Sequence, residues 1–170
     1  MADLTSQSLR LATIAALTAA GVATAGGGVI GARREPWPND DSLYPQVSVY
    51  TLGHSDRPIG KTARSFDRTE KIAIDGMVQV LGDGDTGEDA DEALSLAMDV
   101  LADEIMQALF GTVTWPPANV YGWGSEISLD KSQDAKHDKR RGMVRVAIEL
   151  VHRRTFRPVE PVVDLELLDG

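Results

Sequence analysis

Residues 67–110, DRTEKIAIDGMVQVLGDGDTGEDADEALSLAMDVLADEIMQALF, put a strand pattern directly before a helix pattern, and that succession decides the fold class. In residues 67–80 the apolar side chains Ile72, Ile74, Val78 and Val80 fall on alternate positions, with Lys71, Asp75 and Gln79 on the other face. A two-residue period is the signature of a strand with one buried side. In residues 88–110 the period changes: Leu94, Met98, Leu101, Ile105 and Leu109 recur every three or four positions and make one apolar stripe on a helix. Thr86 and Asp89 resemble a capping box, and Glu88, Asp89, Asp91 and Glu92 complement the positive end of the helix dipole. Gly111 is placed to take a left-handed stop.

The strand pattern repeats outward from this stretch. Residues 141–154 alternate Val144, Val146, Ile148 and Leu150 with Arg145, Glu149 and Arg153; residues 46–52 place Val47 and Val49 inward, and residues 126–130 do the same with Ile127 and Leu129. Clean alternation fits an antiparallel sheet with one face covered by helices, because strands of a doubly covered parallel sheet read as continuous apolar runs. A first helix is expected over residues 3–23, with Leu11, Ile14 and Leu17 inward, broken by Gly26, Gly27 and Gly28 before a short strand at 29–33. The uncharged run 11–31 resembles a signal peptide, but Asp3 precedes it and Ala, Thr and Gly dominate it, so a helix of the mature fold is the preferred reading. The expected class is α+β: a mostly antiparallel, four- to five-stranded sheet packed by two helices, with long loops. Residues 1–156 form one domain, and the apolar tail 157–170 an extra strand or an arm. The Pro-rich stretch 34–45, with Trp37, reads as a loop, and so does 54–67, a polar connection carrying Arg57, Lys61 and Arg64 that suggests an arm reaching a neighbour.

Charge narrows the function. The chain has a net charge of −9 and no cysteine, which argues against gripping duplex nucleic acid and against any need for disulfides. No Lys or Arg lies between Lys71 and Lys131, whereas Asp83, Asp85, Glu88, Asp89 and Asp91 cluster there; the following segment reverses sign with Lys136, Lys139, Arg140 and Arg141. Two readings are open: a solvated acidic helix beside a basic strand of the same subunit, or acidic and basic faces of neighbouring copies meeting head to tail around a closed ring. Arg57, Lys61 and Arg64 join these residues as candidate subunit or partner contacts.

Reactive chemistry finds no support. Gly82 to Gly87 has the glycine spacing of a phosphate loop, but Glu88 stands where a Lys is needed. Asp83, Asp85, Asp89 and Asp91 alternate as in a calcium loop, yet Glu88 occupies the sixth position in place of Gly and Leu94 the twelfth in place of Glu, so the oxygen ligands suit at most low-affinity binding. His54, His137 and His152 share no metal-ligand spacing, and His137 and His152 read as surface residues. No serine sits in a nucleophile elbow. No catalytic residue, metal ligand or cofactor site is expected.

The order of elements is itself informative. A Leu/Ala helix is followed by PQVSVYT at 45–51, then RTEKIAIDGMVQV at 68–80, DADEALSLAMDVLADEIMQALF at 89–110, YGWGSEISLD at 121–130 and RRGMVRVAIELVHRRTF at 140–156. This succession resembles the tail terminator proteins of long-tailed bacteriophages, over about nine tenths of the chain and by pattern, not by an invariant motif. The resemblance implies a non-enzymatic, cofactor-free subunit of a homohexameric ring at the head-proximal end of the tail tube. Such a ring stops tube polymerisation and offers its upper face to the head connector or stopper. It also implies assembly in the bacterial cytoplasm, a place in the virion, no membrane contact, and DNA that only passes through an acidic lumen. A head–tail stopper or connector ring protein, and a non-viral acidic binding module, are the alternative readings.

Overall fold

The computed structural model describes residues 5–31, 40–60, 65–81, 87–112, 115–134 and 139–155. Among these, helix α1 (Ser6–Ala19) and helix α2 (Gly87–Phe110) accompany five strands: β1 (Gly28–Ile30), β2 (Gln46–Pro58), β3 (Ser65–Leu81), β4 (Val120–Asp134) and β5 (Lys139–Thr155). The strands form one sheet in the order β1-β2-β3-β5-β4; β1 runs parallel to β2 and every other pairing is antiparallel. The α+β class expected from the periodicities is therefore the one observed.

Helix α2 lies on the central strands β3 and β5, and α1 on β2. Leu94, Met98, Leu101, Ile105 and Leu109 are all buried against Ile72, Ile74, Val144, Val146 and Ile148. Two strand glycines allow the close approach. A Cβ on Gly76 would stand 2.7 Å from Leu101 Cδ2, and one on Gly142 would overlap the Met98 sulfur.

The ends of the helices differ from the expected ones. Helix α1 starts at Ser6 because Thr5 and Ser8 form a reciprocal capping box, and Gly21, at φ +76°, turns the chain out just after it. Its buried side is Leu9, Thr13 and Leu17, whereas Leu11 is 51% exposed. Gly26 and Gly27 do not break the helix. They pack against the 43–45 backbone, with the Gly27 N–H donating to Leu43 O (2.9 Å) and Pro45 O (3.0 Å). Gly111 does not take positive φ; its N–H continues the helical ladder to Gln107 O at 2.9 Å. The cap at Thr86, Trp37 and the tail 157–170 lie outside the described residues.

Most of the stretch expected as a loop is strand: β2 runs on to Pro58, β3 begins at Ser65, and Ile59 N donates to Ser65 O at 2.8 Å, while residues 61–64 lie outside the described residues. A bulge between Thr51 and Gly53, where Gly53 has φ +144°, adds Leu52 and inverts the alternation of β2. Before it, odd-numbered residues face the helices; beyond it, His54 and Asp56 do, opposite Glu70 and Arg68. Polar side chains thus occupy core-facing positions at this end of the sheet, which is why it reads as a loop. Ile127 and Leu129 stand opposite Val146 and Val144, the face expected, but β4 is beyond the reach of α2 and both stay nearly half exposed.

Candidate interaction surface

Most of the basic block is engaged within the subunit. Lys139 Nζ donates to both oxygens of Asp41 at 2.7 Å, which holds the Asp41 carboxyl below the usual range. Arg140 approaches Asp91 at 3.5 Å, joining the basic strand to the acidic helix inside one chain. Arg141 donates to Gln79 Oε1 (2.9 Å) and lies over the Tyr44 ring. For Asp91, Lys139, Arg140 and Arg141 the solvated-face reading is thus the one the geometry favours, since these charges already have partners. Glu88 and Asp89 stand in the first turn of α2, while Lys61, Arg64, Asp83, Asp85 and Lys136 lie outside the described residues. Arg57 is exposed near the end of β2.

Two polar clusters fix the sheet on either side of this surface. On the face away from the helices, Arg145 donates to Asp75 through Nε (2.7 Å) and Nη2 (2.8 Å), and Tyr50 Oη donates to Asp75 Oδ2 (2.7 Å). Asp75, expected on a solvated face, is buried, and its pairing raises the basicity of Arg145. On the helix face, Arg68 clasps Asp56 with two bonds of 2.6 Å, lowering the acid's pKa. Behind it Glu70 and His152 are fully buried. Ser6 Oγ, in the first turn of α1, donates to Glu70 Oε2 at 2.7 Å, while Glu70 Oε1 stands 3.9 Å from both Arg68 Nη1 and His152 Nε2. His152 is thus a core residue and not a surface one, and burial pushes its pKa down.

The outer side of α2 is an open apolar surface with carboxylates around it. Leu96 is 63% exposed and Val100 49%, in the same helical row as Glu92 and Glu104. Two grooves meet there. The larger, about 1010 Å³, runs between the C-terminal ends of α1 and α2, floored by Val22, Met106, Ala108 and Phe110 and rimmed by Asp103 and Glu104. The smaller, about 230 Å³, lies between α2 and Tyr44, Pro45 and Val78. Val100 and Glu104 line both, and among the described residues neither groove is lined by a Lys or Arg. Sequence reading missed this surface, although Leu96 and Val100, one turn apart and off the main apolar stripe, were its visible sign. Among the described residues no group of three His, Cys, Asp or Glu could hold a metal ion, and no helix is long and apolar enough to cross a membrane. No protein-family model matches the chain, and no curated protein matches it.

Proposed function

We propose that this chain is a structural subunit that assembles with copies of itself, and specifically a phage tail terminator. In this reading it forms a hexameric ring on the head-proximal end of the tail tube, ends tube polymerisation, and presents its other face to the head connector or stopper. The supporting observation is the outer side of α2, where exposed Leu96 and Val100 sit among carboxylates beside two apolar grooves. Apolar area rimmed by charge is the character of a protein-binding surface. The element order seen in the sequence adds the family, and the sheet with two helices on one side suits a ring wall.

The reading assigns no catalysis, cofactor or metal to the chain, and DNA only as a passenger through the lumen. It places the protein in the virion after assembly in the host cytoplasm. Tails assembled in the absence of the chain test it by negative-stain microscopy. Overlong or ragged tubes are expected, and tubes of normal length with heads attached would contradict the reading.

A further inference from the structure

We propose that the groove between α1 and α2 receives the end of the β2–β3 hairpin of a second copy of this chain, an inference that rests on the ring reading above. The groove has an apolar floor and an acidic rim of Asp103 and Glu104, and no Lys or Arg among the described residues lines it. What fills it must bring apolar surface and positive charge together. The hairpin end has that composition: residues 57–66, RPIGKTARSF, contain Arg57, Lys61 and Arg64, the apolar Pro58, Ile59 and Phe66, and no carboxylate. Arg57 and Pro58 are exposed, and Arg57 forms no ion pair with any described residue.

Within one subunit the two surfaces do not belong to the same region. The hairpin end continues β2 and β3 past Glu70, which meets the N-terminal turn of α1 through Ser6, whereas the groove is lined by Ala20, Gly21 and Val22 at the C-terminal end of that helix. The 57–66 segment of one copy, seated in the recess at the far end of α1 of the next, makes a heterologous, head-to-tail contact, the kind that closes into a ring when the rotation allows. Charge complementarity then sets register and discourages wrong pairings, while Val100 and the groove floor provide the apolar burial.

The chain has no cysteine, so paired single-cysteine variants report the contact directly. Full-length Arg57→Cys and Glu104→Cys chains, mixed under mild oxidation with and without tail tubes, should cross-link about tenfold faster than an Arg57→Cys and Glu149→Cys control pair placed on the opposite sheet face. As a second measurement, Arg57→Glu should raise the concentration at which rings form by about tenfold, and adding Glu104→Lys to the same chain should restore it. No enrichment over the control pair overturns the inference. So does cross-linking to the tube protein in place of a second copy, or a charge swap that fails to rescue. Rings of normal mass without the cross-link would remove this contact and leave the terminator reading standing. Tubes of normal length in the absence of the chain would remove the terminator reading, whatever the cross-link shows.

Discussion

The Glu70 carboxylate and the His152 imidazole face each other across 3.9 Å in the interior, both fully buried, and neither imidazole nitrogen has a hydrogen-bond partner among the described residues. Burial disfavours the charged imidazole, and the nearby guanidinium groups of Arg68 and Arg154 oppose its protonation, while Glu70 favours it. Burial is the largest of these effects, so the folded pKa lies below the ordinary value of 6.5.

A pH dependence follows from that depression. Between the folded pKa and 6.5 the unfolded chain binds more protons than the native one, so stability is complete above about 6.5 and declines as pH falls through the window. The melting temperature should drop on going from pH 7.5 to pH 5.5, on the order of the range around the reference pKa. His152→Leu should flatten that slope, measured by circular dichroism; an unchanged slope would show that another group carries it.

Ser6→Ala should destabilise the protein by about 1–3 kcal/mol, because it removes the hydroxyl that satisfies Glu70 Oε2 and leaves a buried carboxylate with one partner fewer. Urea denaturation checks this. In Ser6→Ala combined with Glu70→Leu, the loss should largely vanish, since the unsatisfied charge is then absent.

Asp75→Ala should cost about 2–4 kcal/mol, below the value for a wholly buried pair because Arg145 retains a third of its side-chain exposure. Tyr50→Phe should cost only about 1 kcal/mol, since the ion pair remains. Equal losses in the two variants would contradict the assignment of Asp75 as the centre of the cluster.

Gly76→Val should destabilise by about 1–3 kcal/mol by driving Leu101 off the sheet. Leu101→Ala makes room for the valine, so the double variant should lose less than the sum of the two single losses, read by chemical denaturation. Additive losses would mean that α2 does not sit against Gly76.

The interior of the sheet was legible because its residues obey simple periods: Ile72, Ile74, Val144, Val146, Leu94 and Leu101 all lie where alternation or the helical stripe puts them. The outer half of the β2–β3 hairpin was not, because Leu52 shifts the alternation by one and charges occupy the core-facing sites. Arg68 and Glu70 are buried, with Arg68 clasped by the more exposed Asp56, and one-dimensional polarity reads such charges as solvent-facing. Ile127 and Leu129 show the opposite case, a correct face on a strand with no helix packed over them among the described residues. For the interaction surface, the charge blocks pointed to α2, but only the fold reveals that Lys139, Arg140 and Arg141 are already occupied and that the open acidic side carries Glu104 and Val100.

We propose that this chain ends tube growth by binding the tube end as a ring. The most direct test is the length distribution of tail tubes polymerising from purified subunits after the full-length chain is added. Growth that halts, with tubes bearing a six-fold ring at one end, is the predicted result. Tubes that keep lengthening at the uninhibited rate, with bare ends, would contradict it.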